Sequence, residues 1–297
     1  MTPNDRIQKS PEASATANPG CAPSPASSGL LQPTLNSYTP ARVQLQRTGH
    51  SLATQEILHL QLANAQARDA VYATLDVPAL IHGLDQRKLA SLVFNSSAAN
   101  RADYLRNPAL GRALSAHSEA ALRHISSKDS VAASAESCAA CDVAFVIADG
   151  LSALAVDRHA LPLLDSVLPL LDSAWCIAPI CVVEQARVAI ADPIGEILGA
   201  KISVILIGER PGLSSPDSLG VYITWNPRTG RTDADRNCIS NIRPEGLSYR
   251  EAAALLHFYL TESRRLQQTG TLLKPLSPPS SCGLPESSPG RLADEER

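Results

Sequence analysis

The sequence predicts an α/β fold: a mainly parallel sheet flanked by helices, preceded by an α-helical N-terminal region and bounded by disordered tails. Three observations predict it. From residue 143 onward, short apolar runs alternate with helical stretches, the pattern of a sheet covered on both faces. Residues 51–125 are rich in Ala, Leu and Gln and show no clear strand pattern. Prolines gather at the ends, seven of the 22 within residues 1–40 and five within residues 271–297.

The ends come first. Both are rich in Pro, Ser and Ala, a composition that buries too little apolar surface to offset chain entropy. Residues 1–40 and 268–297 therefore read as disordered tails, either plain extensions or a docking or targeting peptide. Residues 41–135 read as a helical region. Within it, residues 51–75 contain no Gly or Pro and predict one helix, with Ser51 as its N-cap. Residues 80–94 predict a second, with Leu80, Leu84, Leu89 and Leu92 as its apolar positions. Asn107-Pro108 marks a turn, and residues 109–125 predict a third helix.

Residues 136–267 read as a Rossmann-like domain. Val143–Ala148 is a short apolar run ending in Asp149-Gly150, and Ile177–Val183 is a second. Residues 187–190 suggest a short edge strand. Ile202–Ile207 is a third run, ending in Gly208-Glu209-Arg210-Pro211-Gly212, and Val221–Trp225 is a fourth. Helices are expected near 158–173, 193–200 and 249–267. In the last, Ala252, Leu255, Leu256, Tyr259 and Leu260 recur at helical spacing and mark one buried face.

Composition narrows the function. The 297 residues are 44% apolar, enough for a packed core. Their 26 basic and 29 acidic residues give a net charge of -3, so no basic nucleic-acid footprint exists. No run is long and apolar enough to span a membrane, and the polar N-terminus does not read as a secretory signal. Seven cysteines cannot all pair, which suits a reducing, cytoplasmic setting.

In an open parallel sheet, ligands bind beyond the carboxyl ends of the strands, near a change of strand direction. Asp149-Gly150-Leu151-Ser152 and Gly208–Gly212 both stand there, each with a carboxylate beside a glycine. Ordinary strand-to-helix turns would look the same. No G-x-G-x-x-G follows a strand, and no Walker loop exists. Cys138-Ala-Ala-Cys141 lacks a second pair at zinc-site spacing, so no metal or redox role is expected. Asp157-Arg158-His159 begins like D-x-H-x-x-G, but Pro162 replaces the glycine and His159 reads as a surface helix residue.

Several ordered motifs closely resemble the small subunit of ethanolamine ammonia-lyase. They are Asp192-Pro-Ile-Gly-Glu-Ile-Leu-Gly-Ala-Lys201, Gly208-Glu-Arg-Pro-Gly-Leu213 and Asp235-Arg-Asn-Cys-Ile-Ser-Asn-Ile242, with Ile147-Ala-Asp-Gly-Leu-Ser152 before them. Upstream, Gln61–Val71, Tyr104–Arg112 and Ser127–Asp129 also fit, so the resemblance covers roughly residues 43–268. Arg47-Thr-Gly-His50 departs from the family's usual pattern.

The resemblance implies an adenosylcobalamin-dependent ammonia-lyase that converts ethanolamine and related amino alcohols to an aldehyde and ammonia. It implies that a large barrel subunit holds the substrate and the catalytic groups, and that the small subunit closes over a cobalamin shared between them. The cofactor is expected base-on, with its dimethylbenzimidazole on cobalt, which agrees with the broken D-x-H-x-x-G pattern. Residues 136–267 become the cobalamin-binding domain. Three cofactor positions carry over by motif: Val188 in Arg187-Val-Ala-Ile190, Glu209 in the Gly208–Gly212 turn, and Cys238 in Arg236-Asn-Cys-Ile239. Glu209 offers two acceptor oxygens to corrin amides or ribose, while Val188 and Cys238 offer apolar contact or backbone groups. No catalytic residue and no metal ligand is expected on this chain. The resemblance also allows packaging in a bacterial microcompartment, with residues 1–40 as the targeting segment. The rival readings are a non-catalytic scaffold or cargo-docking protein on the same fold, and a lone enzyme acting on a nucleotide-like ligand.

Overall fold

A computed structural model describes residues 42–43, 45–132 and 141–274. The tails expected at 1–40 and from 275 onward lie outside the described residues, as does Cys138. The unit beginning at Leu45 is described below.

Its elements run in the order β1 (Arg47–Thr48), β2 (Ser51–Leu52), α1 (Thr54–Tyr72), α2 (Val77–Gln86), β3 (Ser91–Asn95), α3 (Arg101–Arg106), α4 (Ala116–Ala132), β4 (Val143–Ala148) and α5 (Ala153–Val167). They continue with β5 (Ile180–Glu184), α6 (Ala191–Ile197), β6 (Ile202–Gly208), β7 (Leu219–Trp225), β8 (Arg236–Ile242) and α7 (Tyr249–Leu266). Six strands form one sheet in the order β3-β5-β4-β6-β7-β8. The first four in that order run parallel, and β7 and β8 return antiparallel. The expected mainly parallel α/β sheet is therefore the fold.

The strands were legible because they are apolar throughout. Every residue of β4 and of β6 is buried. Their side chains alternate between two cores, as the two-residue repeat of a strand requires. Phe145, Ile147, Val204 and Leu206 pack with Leu84 of α2, Leu163 of α5 and Leu256 of α7. Val146, Ile205, Cys181 and Ile207 pack with Leu122 of α4 and Ile194 of α6. Each fully buried aliphatic side chain contributes about 1.5–3 kcal/mol. On this second face Tyr222 of β7 is half-buried, while Cys238 and Ser240 of β8 are exposed.

Several expectations needed correction. The helix expected over 80–94 ends at Gln86, and Leu92 belongs to a strand. Lys88 adopts φ +58°, which breaks the helix, and β3 then pairs in register with β5. The front half thus contributes an edge strand to the sheet. Ser51 does not cap α1: it lies in β2, and Ala53 stands at the helix start. The backbone there is engaged with Gln46, whose carbonyl accepts the Ala53 N–H at 3.0 Å. The helix expected over 109–125 begins only at Ala116. Before it, the Ala113 carbonyl accepts from Ser97 and the Ser115 N–H donates to Asn95, so that backbone is committed to the loop after β3.

Three further corrections lie in the second half. Residues 187–190 are no edge strand, since Val188–Ile190 form a 3-10 turn. Strand β8 was not anticipated. The tail expected from 268 begins later, because residues 268–274 are folded onto the sheet. Asn237 donates to the carbonyls of Gly270 and Leu273 at 3.1 and 2.7 Å and accepts the Gly270 N–H at 2.8 Å. Leu273 is 4% exposed and joins the first core.

Candidate functional site

The order β3-β5-β4-β6 reverses direction at β4. The chain passes from β4 outward to β5, then back across to β6. A cavity of about 230 Å³ opens at the carboxyl ends of these strands, where this topology favours ligands. It is lined by the turns after β4, β5 and β6, by Tyr104 of α3 and by Tyr222 of β7.

Two glycines form its floor. Gly150 adopts φ +57°, and the Leu151 N–H donates to the Gly208 carbonyl at 2.9 Å. A Cβ on Gly208 would strike the carbonyls of Ser152 and Asp149, and one on Gly150 would strike the Gly208 carbonyl. Glycine is required at both positions by the close approach of the two turns. Ser152 then caps α5, accepting the Ala155 N–H, which starts that helix earlier than the sequence suggested.

Asp149 serves this architecture. It is 2% exposed and accepts the N–H groups of Gln185 and Ala186, each at 3.0 Å. Gln185 holds a left-handed φ of +55°. Arg101 approaches the same carboxylate at 3.4 Å and donates to the Gly150 carbonyl at 2.8 Å. Burial pushes the Asp149 carboxyl up to about 6, against the pull of those donors. The carboxylate thus ties the turn after β5 to the turn after β4 and aims Arg187 and Val188 at the cavity.

Tyr104 is fully buried, and its hydroxyl donates to the Ala186 carbonyl at 3.0 Å. Burial holds its phenol above the ordinary range. Two guanidinium groups flank its ring, Arg101 at 4.8 Å and Arg187 at 4.4 Å from the centroid.

Glu209 stands on the opposite wall. Its Oε2 accepts from the Ser218 hydroxyl and from the N–H of Asn241, the latter at 3.2 Å. Asn241 presents that N–H from φ +59°. Gly220 lies against the same carboxylate, so that a Cβ there would sit 2.9 Å from Oε1. Tyr222 lies beside Glu209 and is paired across the strands with Cys238. The Cys238 thiol is 3.1 Å from the Ser240 hydroxyl.

Of the three cofactor positions carried over by resemblance, Val188 and Glu209 line the one cavity. Cys238 does not line it, but it borders Tyr222, which does. The sequence reading missed Arg187, Tyr104 and Tyr222 as wall residues. Arg187 stood inside a quoted motif, and Tyr222 was read only as part of an apolar strand. His159 is no surface residue: it is 4% exposed, with Nδ1 2.8 Å from the Tyr249 hydroxyl and Nε2 3.6 Å from Asp217. Burial lowers its pKa, with Asp217 opposing.

Residues 32–274 match the family described as Ethanolamine ammonia-lyase light chain (EutC). The chain belongs to that family. A protein of Pseudomonas aeruginosa (strain PAO1), named ethanolamine ammonia-lyase small subunit, is 53% identical over 242 residues, 81% of this chain and 85% of its own length. Proteins of the same name from Azotobacter vinelandii and Ralstonia nicotianae are each 52% identical over 241 residues, covering 81% of this chain and 86% of their own. Membership in the EutC family places the chain among lyase subunits. The family match includes the whole cavity and ends at Lys274, where the folded segment after α7 also ends. Among the described residues, no helix is long and apolar enough to cross a membrane.

Proposed function

We propose that this chain is the small subunit of an adenosylcobalamin-dependent ethanolamine ammonia-lyase, and that with a large subunit it holds the cofactor over the carboxyl ends of β4, β5 and β6. The observation that carries the reading is the meeting of Val188 and Glu209 in one cavity at the change of strand direction. The residues there suit a large amide-rich ligand. The Gly150–Gly208 floor lets backbone approach closely, Glu209 offers Oε1 as an acceptor, and the buried Arg187 Nε has no hydrogen-bond partner among the described residues. Val188 and Tyr222 add apolar surface, and Cys238 extends that wall along β8.

When bound, the cofactor supplies radical chemistry through cleavage of its cobalt–carbon bond. The chain's own side chains bind, orient and exclude water. The cavity wall carries no nucleophile paired with a base, so the reacting groups fall to the large subunit. A half-site makes half the contacts, so the isolated chain should bind adenosylcobalamin weakly. Titration of adenosylcobalamin into the chain, the large subunit and their complex tests this. Tight binding by the complex alone is expected, with ethanolamine deaminated only there. Turnover by the isolated chain, or a complex that binds no cobalamin, would overturn the reading.

A further inference from the structure

We propose that this cavity is an anion site, and that the anionic group it takes is the phosphodiester of the cofactor's nucleotide loop; the second clause rests on the cofactor reading above. The argument starts from Arg187. Arg101, Arg236 and Arg243 are also largely enclosed, and each has a carboxylate within 4 Å. Arg187 has none among the described residues, and its Nε is buried with no hydrogen-bond partner. Its guanidinium is held against the Tyr104 ring, which it shares with Arg101. Ring stacking offsets only part of the cost of burying a cation. An enclosed donor left unsatisfied calls for an acceptor from outside the chain.

A second cation faces the same space. Arg210 lines the cavity from an exposed position and forms no ion pair among the described residues. The one acid in the wall, Glu209, already accepts from Ser218 and Asn241 on Oε2. Two guanidinium groups against one carboxylate leave the cavity net positive. A planar guanidinium presents paired N–H donors at the spacing of phosphate oxygens. Corrin side chains are neutral amides, and the phosphodiester is the anionic group of the cofactor. Its capture here would place the nucleotide loop against this chain.

The test uses the assembled complex and three corrinoids with the same upper ligand. Adenosylcobalamin has the phosphodiester and the base, adenosylcobinamide phosphate has phosphate without the base, and adenosylcobinamide has neither. Arg187→Gln should weaken the first two by roughly 10- to 100-fold and leave the third unchanged. Arg187→Lys should recover part of the loss. Added salt should weaken wild-type binding of the first two more than that of the third. Should Arg187→Gln fail to fold, Arg210→Gln, at an exposed position, carries the same comparison with a smaller loss. An equal loss for all three corrinoids would make Arg187 a wall residue that pairs with the large subunit, and no loss for any would remove its role; either overturns the inference while leaving the cofactor reading intact. A wild-type complex that binds none of the three would remove both.

Discussion

Arg236 grips Asp192 through two parallel hydrogen bonds of 2.7 and 2.8 Å, with both side chains about 2% exposed. The pair joins the start of β8 to the start of α6, two segments that the sequence reading had picked out as separate motifs. Removing one partner leaves the other charge buried. Asp192→Ala should therefore destabilise the fold by about 3–5 kcal/mol in chemical denaturation. Replacing both residues by apolar ones should cost less than the sum of the single changes.

Glu209→Gln removes the charge but keeps the shape of a residue held by Ser218 and Asn241. Cofactor affinity of the complex should fall on the order of 10- to 100-fold. The unfolding midpoint and the ethanolamine KM at saturating cofactor should hardly move. Ser218→Ala should cause a smaller loss, because the Asn241 N–H still orients the carboxylate. An unchanged cofactor Kd in Glu209→Gln would reduce Glu209 to a turn residue.

Asp149 makes stability depend on pH in an unusual sense. Its carboxyl rises from 3.8 to about 6 on folding because it is buried. Between those values the folded state binds more protons than the unfolded state, so stability falls as pH rises. The contribution is fully present below pH 3.8, is lost between about pH 4 and 6, and amounts to at most about 3 kcal/mol. Unfolding free energies of wild type minus Asp149→Asn should decline across that window. A flat difference would show the carboxyl to be unperturbed.

His159 acts in the opposite sense. Burial lowers its pKa from 6.5, so the unfolded chain takes up the proton first. Its contribution is present above pH 6.5 and is lost on acidification below that value. His159→Gln, which keeps a partner for the Tyr249 hydroxyl, should show a shallower loss of stability on acidification below that point.

Residues 268–274 should behave as fold rather than tail. A chain ending at residue 274 should unfold like the full-length protein. One ending at residue 267 loses the burial of Leu273 and strands the Asn237 amide, at a cost on the order of 3–5 kcal/mol. Equal denaturation midpoints for the two chains would refute this.

How legible each part was depended on its burial. Strands β4, β5, β6 and β7 were anticipated because both faces of the parallel strands are covered, which makes their sequences nearly continuous apolar runs. Strand β8 has one core face, so Ile239 and Ile242 stand among polar residues and no apolar run results. Strand β3 was absorbed into a helix because Leu80, Leu84, Leu89 and Leu92 keep helical spacing through a break that Lys88 makes in the backbone. At the site, Glu209 and Val188 were found through motifs. Arg187 and Tyr222 were not, because what distinguishes them is a missing partner and a neighbour across the sheet, and neither is written in local sequence.

The contact between Gly150 and Gly208 has a consequence for how a ligand would arrive. The Leu151 N–H to Gly208 carbonyl bond closes the turn after β4 onto the turn after β6 before any ligand is present. Asp149 draws in the turn after β5 by two more backbone bonds. Three turns that could each have moved separately therefore behave as one rigid body, and their ordering entropy is lost during folding. A ligand meets a preorganised surface, so its association should show no slow conformational phase assignable to these turns.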